Sequence, residues 1–382
     1  MPTHPRHILV ISLFFLAFLS VAMRFGMANL DAANVSEAAS TSDVVVPIVA
    51  PLPPVHRSIH LMFVGDMMFD RAVRKTINSK GYDFVFGDAK KLFDKTQVGG
   101  PDLVVGNLEG SITTFKSKTL QRDGSTGNAP LDFTFATATA PALKSAGVDV
   151  VSLANNHSAN RGEIGLTLTR HYLTDAGVDF FGDPGNLAGH SIVKCIDVKR
   201  NMVTASSFKS FCIGLIGYHE FAYKNADNII SDIQELKKTT NIVIVMPHWG
   251  IEYQKTPTKF QRDLAHTWID AGADIIIGAH PHIVESIEEY NGHTIFYSLG
   301  NFIFDQYFSF DTTHGMAVDI SIPDDYTASS TLAFDLIPIE NKHTVMSLPD
   351  ATTTNRILQD LAHSSKKYVG TSTLQNILGG KI

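Results

Sequence analysis

The chain has 382 residues, 44% hydrophobic and 18% charged, a composition that suits a full globular core and argues against a disordered or low-complexity protein. Its length allows one large domain or two small ones. With 31 Lys and Arg against 38 Asp and Glu, the formal net charge is −7. A nucleic-acid partner is disfavoured, because phosphate contacts need clustered cations. A polyanion would have to meet a local basic pocket; Arg71, Arg161 and Lys255 are candidates, against the plainer reading of each as a surface charge.

From the N-terminus, Arg6 and His7 precede an uncharged, almost wholly apolar run from Ile8 to Met23. This is the charged-then-apolar plan of a secretory signal. It falls short of the roughly 20 residues that span a bilayer. Gly26-Met27-Ala28 offers a cleavage site, whereas Arg24 beside it favours an uncleaved signal-anchor. Either way, residues 1–28 are expected to send the remainder out of the cytoplasm, because the positive end stays inside. Residues 29–57, rich in Ala, Ser, Asp, Val and Pro and ending Pro51-Leu52-Pro53-Pro54, read as a flexible tether.

A domain is expected over residues 58–345. Five strand-like runs in it end in groups able to ligate a metal. Ile59 to Val64 leads into Gly65-Asp66, and Leu103 to Gly106 into Asn107-Leu108-Glu109. Val148 to Ala154 leads into Asn155-Asn156-His157, and Ile242 to Pro247 into His248-Trp249-Gly250. Ala273 to Ile277 leads into Gly278-Ala279-His280-Pro281-His282, where two imidazoles project from one stiff turn. Any one such piece is usually a turn or loop. Five together point to a metal site, since imidazole is the commonest protein ligand for transition metals and open α/β sheets bind at the carboxyl ends of their strands.

Between these runs, helical stretches close on glycine before the next strand: 141–146 on Gly147, 165–176 on Gly177 and 260–271 on Gly272. Such units predict an α/β fold with two or more layers. Cys195 and Cys212 sit in strand-like runs; they can bridge if those strands pair outside the cytoplasm, but two buried thiols is the slightly preferred reading. Met316 to Ile322 and Thr331 to Ile339 alternate like an antiparallel hairpin. Residues 346–382 read as a tail with a short helix over Asn355–His363.

Six motifs come in a recognisable order: Gly65-Asp66-Met67-Met68-Phe69-Asp70-Arg71, Gly106-Asn107-Leu108-Glu109-Gly110, Ser152 to His157, His248 to Tyr253, Gly278 to His282, and Tyr297-Ser298-Leu299-Gly300-Asn301-Phe302-Ile303-Phe304-Asp305. Over roughly residues 58 to 320 the chain resembles the CapA family of poly-γ-glutamate capsule synthesis proteins, a branch of the calcineurin-like metallophosphatases. The resemblance implies a four-layer α/β/β/α sandwich. It implies a first metal held by Asp66 and His282, a bridging Glu109, and a second metal held by Asn156, His248 and His280. His157 would transfer protons without binding metal.

The wider superfamily carries Asp-x-His in its first motif, but Met67 and Met68 follow Asp66 here, and thioether is a poor ligand for hard metals. One divalent ion or two therefore both fit, as Mn²⁺, Fe or Zn²⁺. Glu252, four residues after His248, is a candidate to orient that imidazole, against a solvated loop glutamate. Asn301, Asp305 and Arg71 are candidates to line the same pocket. His219 and Glu220 end another strand-like run without an assigned role.

The implied function is an exported protein of capsule or poly-γ-glutamate formation, hydrolytic through a metal-bound hydroxide. A metal-dependent peptide epimerase would need the same ligands. A non-catalytic factor that binds polymer or a membrane synthase is the third reading, disfavoured by the complete ligand set.

Overall fold

The computed structural model describes residues 58–118, 131–187, 189–198, 209–222, 226–323, 326–327 and 330–382, so the expected signal segment and the whole of the tether lie outside the described residues. In chain order the elements begin with β1 (Ile59–Met67), α1 (Arg71–Lys80), α2 (Tyr82–Phe86), α3 (Ala89–Leu92), β2 (Leu103–Leu108), β3 (Ser111–Ile112) and β4 (Thr134–Phe135). Next come α4 (Thr139–Ala146), β5 (Val150–Ser152), α5 (Gly162–Ala176), β6 (Asp179–Phe181), β7 (Ile192–Val198), β8 (Lys209–His219) and α6 (Ala226–Leu236). They continue with β9 (Ile242–His248), α7 (Lys259–Ala271), β10 (Ile275–Ile277), β11 (Ile287–Tyr290), β12 (His293–Phe296) and β13 (Asn301–Ile303). The last are β14 (His314–Ile322), β15 (Ala333–Lys342), β16 (Val345–Ser347), α8 (Ala351–Ser365) and α9 (Thr371–Leu378).

The strands make two principal sheets. One has the order β16-β15-β14-β1-β2-β5-β6, with β13 also on β1; the other has the order β11-β12-β10-β9-β8-β7. Parallel pairs run from β1 through β2 and β5 to the edge strand β6 in the first, and make up the middle, β8-β9-β10-β12, of the second. Side chains alternate across a strand, and both faces here are covered. Leu61, Phe63, Leu103 and Val105 of the first sheet pack against Ile242, Ile244, Ile275 and Ile277 of the second. The intervening Met62, Val64 and Val104 face helices α1 to α5 through Val73, Val85, Ala89, Leu143 and Leu173. Val243, Val245 and Ile276 face α6 and α7 through Ile233, Ala265 and Trp268. Three cores between four layers make the expected α/β/β/α sandwich. Burial on both faces explains why the strands read as continuous apolar runs.

The helices stop where expected: Gly147, Gly177 and Gly272 are left-handed caps whose N–H groups bond back to the last turn. Two expectations are corrected. Residues 346–382 are no tail: β16 pairs with β15, and α8 and α9 bury Ile357, Leu358, Leu361 and Ile377 in the core between the sheets. The chain end then pairs with β15 through reciprocal Phe334 and Ile382 backbone bonds, each 3.0 Å. The cysteines are not free thiols, because β7 and β8 pair antiparallel with Cys195 opposite Cys212, and the two are joined in a disulfide.

Candidate metal centre

The ligand-bearing strand ends come from both sheets. β1 delivers Asp66, β2 delivers Asn107 with Glu109 just beyond, and the turn after β5 delivers Asn155, Asn156 and His157. From the facing sheet, β9 ends on His248 and β10 leads to His280 and His282. The stretch Tyr297–Gly300 crosses between the sheets and ties them together. Leu299 N–H donates to Gly278 O (3.1 Å), and Gly300 O accepts from Asp66 N–H (3.0 Å). Gly278 has to be glycine: a Cβ there would lie 1.9 Å from Tyr297 O. His280 and His282 hold φ of 99° and 59°, left-handed conformations costing about 1–3 kcal/mol each and characteristic of functional sites.

The side chains fall into two abutting groups. In the first, His282 Nδ1 lies 3.4 Å from Asp66 Oδ2, and His282 Nε2 lies 3.8 Å from Glu109 Oε1. In the second, His248 Nε2 lies 2.9 Å from Asn156 Oδ1 and 3.1 Å from His280 Nδ1. Ligand atoms of Asp66, Glu109 and His248 lie within 4.8 Å of one another, which joins the groups. His157 flanks them, with Nε2 3.7 Å from Glu109 Oε1 and Nδ1 2.9 Å from Asn160 Oδ1.

The electrostatics of this cluster call for a cation. Glu109 is fully buried, and neither carboxylate oxygen has a hydrogen-bond partner among the described residues. Burial, reinforced by the Asp66 charge, holds its pKa well above the usual carboxylate range. Burial alone would lower His282, but Glu109 and Asp66 outweigh it and push it up to about 9. Burial depresses the other imidazoles: His248 well below its ordinary range, His280 to about 3 and His157 to about 4. Neutral imidazoles are the form that ligates metal. The close approach of His157 to Glu109 is accordingly no ion pair at neutral pH. Unpartnered buried carboxylate oxygens, the neutral imidazoles of His248 and His280, and an amide oxygen form a donor set that fits a divalent ion of the Mn, Fe or Zn kind, and such an ion would displace the proton that Glu109 and Asp66 hold on His282.

All seven residues expected at the centre are thus brought together: Asp66, Glu109, Asn156, His157, His248, His280 and His282. Asn301 is also there, with Oδ1 3.0 Å from His282 Nδ1 and Nδ2 donating to Thr312 O (2.9 Å). Glu252 does not orient His248: it is exposed, and the His248 nitrogens face Asn107, Asn156 and His280. Among the described residues, Asp305 does not approach the ligating imidazoles through any hydrogen bond; it pairs with Arg71 and accepts from Ala72 N–H (2.9 Å). Met68 is buried with its sulfur accepting from Asp70 N–H (3.0 Å). Of the two other expected basic-pocket residues, Arg161 pairs with Asp132, and Lys255 with Asp311 and Asp360.

Two buried amides have roles that no assignment from sequence foresaw. Asn107 Nδ2 donates to Asp66 Oδ1 (2.8 Å) and lies 3.2 Å from His248 Nδ1. Asn155 Nδ2 donates to Asn107 Oδ1 (3.0 Å), while its own Oδ1 accepts from the backbone of His157 and Ser158. Asn107 had a signal, since it lies two residues before Glu109 in extended chain and so shares its face. His219 also borders the site, its ring 6.1 Å from that of His248.

The sequence profile of the family described as bacterial capsule synthesis protein PGA_cap matches residues 60–306. The chain belongs to that family. The matched span holds every residue of the centre. Among similar proteins is the PGA biosynthesis protein CapA of Bacillus subtilis, 34% identical over 258 residues, 64% of this chain and 63% of that protein. The chain thus spans under two thirds of that relative. Another is the capsule biosynthesis protein CapA of Bacillus anthracis, 30% identical over 330 residues, 83% of this chain and 77% of the relative. A solved calcineurin-like phosphoesterase of B. subtilis, YfkN, aligns with 85% of the chain and 99% of its own at 16% identity and a TM-score of 0.43. A likeness of that size does not define the fold, which rests on the sheets themselves.

Proposed function

We propose that the chain acts outside the cytoplasmic membrane as a metal-dependent hydrolase of a γ-glutamyl capsule polymer. The observation that carries the reading is Glu109, buried with both oxygens unpartnered amid Asp66, His248 and His282. Asp66, Glu109 and His282 would hold one ion, and Asn156, His248 and His280 a second where two bind. A divalent ion there supplies Lewis-acid polarisation and makes water acidic near neutral pH. The polymer assignment follows the family and the names of the Bacillus relatives. Export is supported by the apolar run after Arg6 and by the Cys195–Cys212 disulfide, a bond characteristic of oxidising compartments.

The chain's own chemistry centres on His157. Asn160 holds Nδ1, so Nε2 faces Glu109, beside which the reacting water would lie. Burial keeps the ring neutral, the form that accepts a proton. Water oxygen attacks the amide carbon, His157 takes the water proton, and the carbon–nitrogen bond breaks as that proton passes to the leaving nitrogen. The test uses the purified chain with Mn²⁺ and a γ-glutamate oligomer, measuring metal content and new amine ends. His157→Ala should keep its metal and lose roughly 10²- to 10⁴-fold in rate, whereas His248→Ala should lose metal and activity together. Full activity in both variants would end the catalytic reading. Products of unchanged length but inverted Cα would replace hydrolysis with epimerisation.

A further inference from the structure

Arg71 is a cation that lowers the pKa of Glu109 through its charge and that the centre itself leaves unused. It sits at the start of α1 in a left-handed conformation (φ 51°), a backbone state rare for a residue with a side chain. Asp70 caps the same helix end by accepting from Arg71 N–H (2.9 Å). The guanidinium is then held by three groups. Asp305 Oδ1 accepts from Nη2, while Asp305 Oδ2 takes Ala72 N–H (2.9 Å), which fixes the carboxylate. The guanidinium carbon lies 5.1 Å from the centre of the Phe133 ring and 5.3 Å from that of Phe304, within range of cation–π attraction.

Those two rings are also the walls of the metal centre. Phe133 packs on His157 at 4.1 Å between ring centres, and Phe304 packs on His282 at 4.6 Å, both with the rings tilted. Arg71 therefore stands directly behind the groups that flank Glu109. Its Nε is buried and has no acceptor among the described residues, yet its side chain keeps 24% exposure. A guanidinium offers five N–H donors in a planar fork that matches a carboxylate in bidentate fashion. Asp305 holds it in place and leaves Nε unmatched.

We infer that Arg71 is the specificity-determining residue of the site and binds a carboxylate carried by the substrate beside the bond presented to the metal centre. In a γ-linked glutamate chain this group is the free α-carboxylate next to each amide. The inference rests on the proposed γ-glutamyl substrate, but it concerns recognition and not turnover. It excludes neutral peptides as good ligands, and it explains how a chain of net charge −7 can take a polyanion without a basic face.

The test is calorimetric binding to the Mn²⁺-loaded full chain, with three probes: a γ-glutamate oligomer, the same oligomer with its α-carboxylates converted to carboxamides, and inorganic phosphate. Wild type should prefer the anionic oligomer by about 10- to 100-fold, the range of a charge-assisted hydrogen-bonded pair. Arg71→Met should abolish that preference. Arg71→Lys, which keeps the charge and loses the fork, should retain only a small part of it, and it guards against a folding defect in the methionine variant. If folded, metal-loaded Arg71→Met or Arg71→Lys keeps the full preference, the inference is overturned. It is equally overturned if wild type binds both oligomers alike, or binds phosphate through Arg71 in place of the oligomer. Arg71-dependent binding without any bond cleavage would sink the hydrolase reading and leave this inference standing.

Discussion

Glu285 provides a quantitative check on the packing beneath the centre. It follows the His280–His282 loop, is 1% exposed, and accepts from Gln261 Nε2 (2.9 Å), while its Oε1 is buried without a partner among the described residues. Burial pushes its carboxyl up to about 8, with the Gln261 bond opposing and the Glu220 charge adding a little. Below the ordinary value of 4.5 the group is protonated in both folded and unfolded chains, so it makes no pH-dependent difference. Above 4.5 the unfolded chain releases the proton while the folded chain keeps it, and stability falls by about 1.4 kcal/mol per pH unit until the folded group titrates. The loss is roughly 3 kcal/mol at pH 7 and about 5 kcal/mol beyond pH 8. Glu285→Gln still accepts from Gln261 but cannot ionise. Denaturant unfolding of both proteins from roughly pH 4 to pH 9 should give a gap that is small in acid and widens to these values in favour of the glutamine variant. Other titrating groups cancel in that difference. A gap that stays flat across the range, or a glutamine variant less stable at neutral pH, would refute the burial argument.

Asn107→Leu removes the donor to Asp66 and the contact with His248. Metal affinity, read by competition with a chelator, should fall about 10- to 100-fold, the usual effect of losing a partner that orients ligands. The Cys195–Cys212 bridge spans 17 residues. Dithiothreitol should therefore destabilise wild type by about 3 kcal/mol and leave Cys195→Ser unmoved. Leu361→Ala, at a site 3% exposed in the core between the sheets, should cost about 2–5 kcal/mol of unfolding free energy. A loose C-terminal segment would instead give a change within about 0.5 kcal/mol.

Much of the molecule was legible because its signals are local. A strand buried on both faces must be apolar at every position, so Ile242 to Met246 and Ile275 to Ile277 announce themselves. A left-handed helix cap favours glycine, so Gly147, Gly177 and Gly272 mark helix ends. The α8 and α9 helices were harder. Their buried residues are few, one short stripe of Ile357, Leu358 and Leu361 in α8 and Ile377 in α9 among polar ones, so the segment resembles a surface tail until something covers it.

By itself, then, the sequence determined which residues could ligate a metal and that they stand at strand ends, because ligand chemistry and strand periodicity are properties of residue type and spacing. Tertiary structure decided what those residues do to one another. Asp66 and His248 lie on different sheets, and they meet because the sheets pack face to face and Tyr297–Gly300 bonds to both. The orphaned oxygens of Glu109 and the clamp of Asn107 between Asp66 and His248 exist only once water has been excluded and distant strands are in register. The disulfide likewise needed the register of β7 on β8. Burial and long-range register are sums over the whole chain, and no local window of sequence contains them.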